Sequence, residues 1–273
     1  MPVDDENDKP QPGDTVIELR DGVPVIYTQP EKGEPAAPGT QHREGSDRRQ
    51  NDTDRFYELL DELDHQAGGP RRLRDCTADA GWPAYGVYFF FEDGERRTAG
   101  QCPRVVRVGT TTSAPLWHRL ARHRGRQASE AGAFALAAGP RHAHSVFRRH
   151  LGTAIIKRDH PDWPPGVLDD WYHCRDQPLS EQIEWEVSQY VGVMPFVCLA
   201  VPDLTERRVI EAGAIALLSG RTGAIDRQSP GWLGQHAHKS EIRTSGLWNV
   251  QHVNGRCVPR LLDLMDARVQ ARS

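Results

Sequence analysis

The chain has 273 residues, a formal net charge of −4, 37% hydrophobic and 26% charged residues, and a mean hydropathy of −0.64. No apolar run approaches the roughly 20 residues of a membrane helix, and the opening MPVDDENDKPQPGD is acidic and Pro-rich, unlike a secretory or transit leader. Cys76, Cys102, Cys174, Cys198 and Cys257 show no CxxC spacing, which argues against a disulfide framework or a cysteine zinc site, so a cytoplasmic protein is expected.

Residues 1–50 are rich in Pro, Gly, Asp and Glu and are expected to be a mostly disordered acidic leader. One hairpin is predicted within it, over 15–27, around Asp21-Gly22. Order is expected from residue 51 onward, as one domain. Asp52 or Thr53 can cap a helix whose apolar face is Phe56, Leu59, Leu60 and Leu63. Gly86–Phe91 reads as a buried aromatic strand with a turn at Asp93-Gly94, and Arg104–Gly109 as its partner. A helix is predicted over Leu116–His123, a basic Gly/Ala loop over 125–141, and a short basic helix over His144–His150. An irregular Pro-rich excursion follows. Then come a helix over Leu179–Tyr190, a strand over Phe196–Val201, a helix from Thr205 to Leu218 that Thr205 can cap, a loop over Gly220–Lys239, and a last helix over Val258–Val269. This order indicates a mixed α/β or α+β fold.

The net charge conceals an uneven distribution. Thirty of the 34 basic residues are arginine. Residues 1–50 carry 11 acids and 6 bases, whereas Arg96–His150 holds 11 arginines against a single acid, Glu130. A local excess of that size attracts phosphates. Arg122, Arg124, Arg126, Arg141, Arg148 and Arg149 are therefore candidates to contact a nucleic-acid backbone. The histidines His142, His144, His150, His160 and His173 follow no metal-ligand spacing and read as part of a phosphate-contacting surface.

Gly86-Val87-Tyr88, followed about twenty residues later by Arg107-Val108-Gly109-Thr110, resembles the paired strand motifs of the GIY-YIG nuclease family. Three further segments extend the likeness in the same order. LWHRLARH matches the family's arginine helix and selects Arg119, with His123 one turn on. VIEAGAIALL matches the helix bearing an essential glutamate and selects Glu211. SGLWNV matches the segment that supplies an asparagine and selects Asn249. The resemblance spans about 86–250, with insertions at 125–204 and 220–247. It implies a small antiparallel sheet flanked by helices. It also implies an endonuclease that hydrolyses phosphodiesters in DNA with Mg2+ or Mn2+ held by Glu211, RNA not being excluded. The chain departs from the family at Arg107, which stands where a tyrosine is usual. Any role of that missing hydroxyl falls to Tyr88, Arg107 or His123.

Physical chemistry gives each residue type a task. Phosphodiester hydrolysis needs an activated water, stabilisation of charge on the phosphate, and a proton for the leaving oxygen. Tyr88 or His123 can move the proton. Arg119 and Arg107 offer guanidinium forks to phosphate oxygens, and Glu211 can hold a divalent ion. Apart from the resemblance, blander readings stand beside these. Tyr88 is then a core aromatic, Arg119 and His123 lie on a solvated helix face, and Asn249 caps a turn. Glu211, the only ionisable group in its ten-residue run, either lies on an exposed edge or points inward. The alternative function is a catalytically inactive nucleic-acid-binding module on the same fold.

Overall fold

The structure, a computed structural model, describes residues 15–20, 23–28, 38–98, 102–125, 142–175, 180–220, 225–256 and 260–271. The chain divides into two compact units, Met1–Arg49 and Gln50–Ser273. In the first, strands β1 (Thr15–Arg20) and β2 (Val23–Thr28) pair antiparallel, with Thr15 opposite Thr28. Helix α1 runs Pro38–Gln66 and so starts well ahead of Asp52–Thr53. Residues 40–51 are mostly polar and carry no apolar stripe, so periodicity detects only the amphipathic half of this helix.

The second unit is built on a four-stranded sheet of β3 (Arg71–Arg72), β4 (Gly86–Arg96), β5 (Pro103–Thr110) and β6 (Pro195–Ala200). Its spatial order is β3-β6-β4-β5 and every pairing is antiparallel. The helices that follow α1 are α2 (Leu116–Arg124), α3 (Val146–Asp159), α4 (Val167–Tyr172), α5 (Ser180–Val193), α6 (Leu204–Leu218), α7 (Ser240–Ser245) and α8 (Arg260–Gln270). The fold is α+β: a small antiparallel sheet flanked by helices. Among the described residues, no helix is long and apolar enough to cross a membrane.

Alternation along β4 sends successive side chains to opposite faces of the sheet. Tyr88 and Phe90 join Val106, Leu120 of α2, Phe147 and Leu151 of α3, and Trp248 in one core layer. Val87 and Phe89 join Phe56 and Leu63 of α1, Ile210 of α6 and Met265 of α8 in the other. Burying each such large side chain contributes about 1.5–3 kcal/mol. These two layers hold the sheet rigid between helices, and the candidate site is carried on it.

Besides the start of α1, three boundaries differ from the sequence reading. First, β4 does not turn at Asp93-Gly94 but continues to Arg96. Its pairing with β5 shifts register between Phe90 and Phe91, and again between Phe91 and Arg96. Gly94, at φ +92°, takes the backbone conformation that such an irregularity requires without strain. Second, α3 is twice as long as the short basic helix expected at His144–His150. HLGTAII extends it, and Phe147 to Ile156 are buried except Arg149. Third, α6 is capped by Asp203, whose carboxylate accepts from the Glu206 N–H at 2.8 Å, and not by Thr205.

Candidate active site

The two motif strands place their key residues directly across from one another. Tyr88 on β4 pairs with Gly109 on β5 and Cys198 on β6. Its ring is fully buried, with the hydroxyl end close over Gly109. A Cβ on residue 109 would fall inside the contact distance of the Tyr88 hydroxyl, so only glycine fits there. Two pairs along, on the same face, Phe90 faces Arg107. Phe91 then pairs with Val105, so Val106 is the extra residue of the bulge. The bulge leaves both Val106 and Arg107 on the Tyr88 side, Val106 in the core layer and Arg107 with its guanidinium 4.6 Å from the Phe147 ring centre.

His123 on α2 is fully buried. Its Nε2 lies 2.8 Å from the Tyr88 hydroxyl and its Nδ1 2.8 Å from Ser145 Oγ. Ser145 also caps α3, accepting from the Arg148 N–H. Burial, followed by the charges of Arg119, Arg107, Arg148 and Arg122, pushes the imidazole well below its ordinary pKa. The ring is therefore neutral at neutral pH and holds a lone pair for one hydrogen bond.

Arg107 is nearly buried. It donates to the Trp248 carbonyl at 2.6 Å and hydrogen-bonds Tyr88, while its Nε has no partner among the described residues. Burial lowers its pKa from the usual guanidinium range; Tyr88 and Glu211 oppose that shift and Arg119 adds to it. Arg119 is half-buried on α2, and its Nε is likewise without a partner among the described residues. Glu211 on α6 accepts from the Thr110 backbone N–H on β5, the edge strand. Burial pushes its carboxyl up, and Arg107 and Arg119 counter this.

The structure thus brings Tyr88, Arg107, Arg119, His123 and Glu211 into one coupled group from four elements. Asn249 is placed differently. Its amide accepts from the Val108 N–H at 3.1 Å and donates to the Val108 carbonyl at 2.9 Å. With the Trp248 N–H donating to the Val106 carbonyl at 2.7 Å, residues 248–249 line the edge of β5 like a short extra strand. Asn249 therefore fixes the strand that carries Arg107.

The candidate nucleic-acid arginines separate just as sharply. Arg122 is exposed. Arg124 donates to the Leu73 carbonyl at 3.0 Å. Arg148 is not on the surface at all: its side chain is fully buried and bonded to Glu184, Ser188 Oγ and the His123 carbonyl. Glu184 is the partner that makes this burial possible, and it lies 36 residues away on α5. Arg149 is half-buried over Tyr172. Arg126 and Arg141 lie outside the described residues, as does most of the Gly/Ala loop.

Sequence reasoning missed Ser145, Trp248 as the Arg107 acceptor, and Arg207. Arg207 is a buried side chain that donates to the carbonyls of Thr111, Thr112, Val201 and Pro202, and so ties the end of β5 to the start of α6. Ser145 carried a readable signal, a serine just before a helical run. Arg207 carried none, because its acceptors are all backbone carbonyls, which no residue type marks.

The family model described as GIY-YIG domain matches residues 47–273. The chain belongs to the GIY-YIG family, and its domain implies a nuclease-type activity on nucleic acid. No curated protein and no solved structure matches it.

Proposed function

We propose that this chain is a metal-dependent endonuclease that hydrolyses phosphodiester bonds in DNA. The observation that carries the reading is the Tyr88–His123 hydrogen bond set against two arginines with unused N–H donors and one carboxylate. Cys76, Cys102 and Cys174 are free thiols, in keeping with the cytoplasmic location proposed for it.

Among the described residues, no three His, Cys, Asp or Glu side chains gather as a metal cage. A lone carboxylate suits Mg2+ or Mn2+, hard ions that keep several waters and take phosphate oxygens as further ligands. Held by Glu211, such an ion would supply charge stabilisation at the phosphate.

The protein's own groups supply the rest. Neutral His123, with Nδ1–H donated to Ser145 Oγ, accepts the Tyr88 hydroxyl at Nε2 and fixes the phenol. Tyr88 takes a proton from the attacking water at its oxygen as its own moves to Nε2; the leaving oxygen, freed as its bond to phosphorus breaks, takes a proton from solvent water, and His123, whose burial and arginine neighbours disfavour the imidazolium, returns its proton to the hydroxide so formed. Arg119, at the half-buried mouth of the group, donates Nε–H to a non-bridging phosphate oxygen. Arg107, deeper in, adds a fixed positive charge in a low-dielectric setting where it acts most strongly. Its place at the family's tyrosine position substitutes charge for a hydroxyl.

The test is plasmid nicking by the purified protein with Mg2+, with Mn2+ and with EDTA, beside Glu211→Gln. Nicking that needs metal and falls about 100-fold or more in the variant is expected. Full activity in Glu211→Gln overturns the metal assignment. DNA binding without cleavage in any metal favours the inactive binding module.

A further inference from the structure

The least satisfied buried group of the described residues lies outside the proposed machinery. His150 on α3 is 3% exposed, and neither ring nitrogen has a hydrogen-bond partner among the described residues. Buried polar atoms are nearly always paired, so two orphans on one ring indicate a missing partner. The charged groups acting on it are all basic: Arg107 from β5, Arg149 beside it on α3, and Lys239 and His238 before α7. Such surroundings exclude a cation and suit an anion.

A basic cluster opens from this point. The Arg149 guanidinium stands 5.9 Å from the Tyr172 ring centre, and its Nε is also orphaned among the described residues. Lys239 Nζ lies 5.3 Å from the same ring, and the His238 ring 4.6 Å from it. Tyr172 of α4 is thus a hub for three basic side chains. The cluster also continues into the candidate active site. Arg107 sits over Phe147, which is one helical turn before His150 on α3 and shares its face.

We propose that His150, together with Arg149 beside it on α3 and Lys239, both of which stand at Tyr172, forms a second phosphate-binding subsite that grips a nucleic-acid phosphate other than the one cleaved. This rests on the nuclease reading given above and extends it to the substrate's flanking backbone. A neutral imidazole donates one N–H to a phosphate oxygen. Arg149 Nε and Lys239 Nζ add charged donors to the others, a tetrahedral acceptor being able to satisfy all three. Arg107 stands between the subsites and contributes its field to both.

The experiment is fluorescence anisotropy with a labelled DNA duplex in EDTA, so that binding is read without cleavage, across a series of salt concentrations. Arg149→Gln/Lys239→Gln alters half-buried side chains and retains the fold. It should weaken binding about tenfold or more at low salt and flatten the log–log salt dependence by about 2. His150→Gln should weaken binding a few-fold, and if it does not fold the double variant still decides. Unchanged affinity and salt slope in the double variant overturn the subsite. Nicking in Mg2+ is measured on the same proteins. Wild-type nicking with an unaltered KM in the double variant removes the subsite and leaves the nuclease reading. Weakened binding by the double variant, with no nicking by the wild type, removes the nuclease reading and leaves the subsite.

Discussion

Arg104 and Arg107 lie three residues apart on one strand, and both are buried, yet they are handled in opposite ways. Arg104 has all three nitrogens occupied: Nε and Nη2 on Glu95 at 2.8 and 2.6 Å, and Nη1 on the Gly246 carbonyl at 2.6 Å. Arg107 has one backbone acceptor, a tyrosine and an orphaned Nε, with no ion pair among the described residues. Arg148 and Arg149 repeat the contrast on α3, where the first is saturated by Glu184 and Ser188 and the second is left with an orphan. A saturated buried arginine holds the fold together. An unsaturated one keeps its donors for something that arrives, and the fold carries the cost of desolvation until then.

The strongest way to break this comparison is to remove each arginine of the β5 pair. Arg104→Met leaves Glu95 buried without its partner and should destabilise by about 3–5 kcal/mol in urea unfolding. Arg107→Met should destabilise far less and instead lower plasmid nicking. Equal losses of stability would show that Arg107 is structural. Next in size, Tyr88→Phe keeps the ring and deletes the proton, so nicking should fall about 100-fold, or about 2.7 kcal/mol in the barrier. Wild-type rates in this variant would exclude Tyr88 from proton transfer.

A smaller effect is read in pH. His150 is pushed down to about 3 by burial and its basic neighbours. The unfolded chain takes up a proton near pH 6.5 that the folded protein refuses until about pH 3. This contribution to stability is complete above the unfolded pKa and is lost as pH falls, by about 1.4 kcal/mol per pH unit. His150→Gln should shallow the fall in unfolding free energy below about pH 6 by one proton's worth; an identical slope would mean that His150 is not held neutral. Smallest, Asn249→Ala uncovers the Val108 N–H and carbonyl and should cost about 1 kcal/mol, measured by thermal unfolding. Its nicking should change through the placement of Arg107 alone, so Arg107→Met and the double variant should nick alike.

The sequence was most legible where residues sit on regular elements with local signals. Gly86, Tyr88 and Gly109 belong to aromatic and β-branched strands, and Glu211 to a ten-residue apolar run in which it is the only ionisable group. These placed the sheet and the motif residues in the right order. What stayed hidden depended on distant partners. Arg148 and Arg149 are adjacent and identical in type, so nothing local says that Glu184 withdraws one of them into the core. The bulge that puts Val106 on the same face as Arg107 is a matter of pairing register, which periodicity along one strand does not encode. The long buried α3 was masked by its own charge, because RRH reads as a surface until the carboxylate that neutralises it is found.

The short Trp248–Asn249 segment has one more consequence. A terminal strand of a sheet offers a ready template on which another chain can lay a strand and begin to aggregate. On β5 the Val108 positions of that template are already taken by a side-chain amide that mimics a peptide group, and the Val106 carbonyl by a real one. The same few atoms that steady Arg107 therefore also make this border of the sheet unavailable to other molecules. The protein thereby gains a guard against sticking to its own copies along this edge.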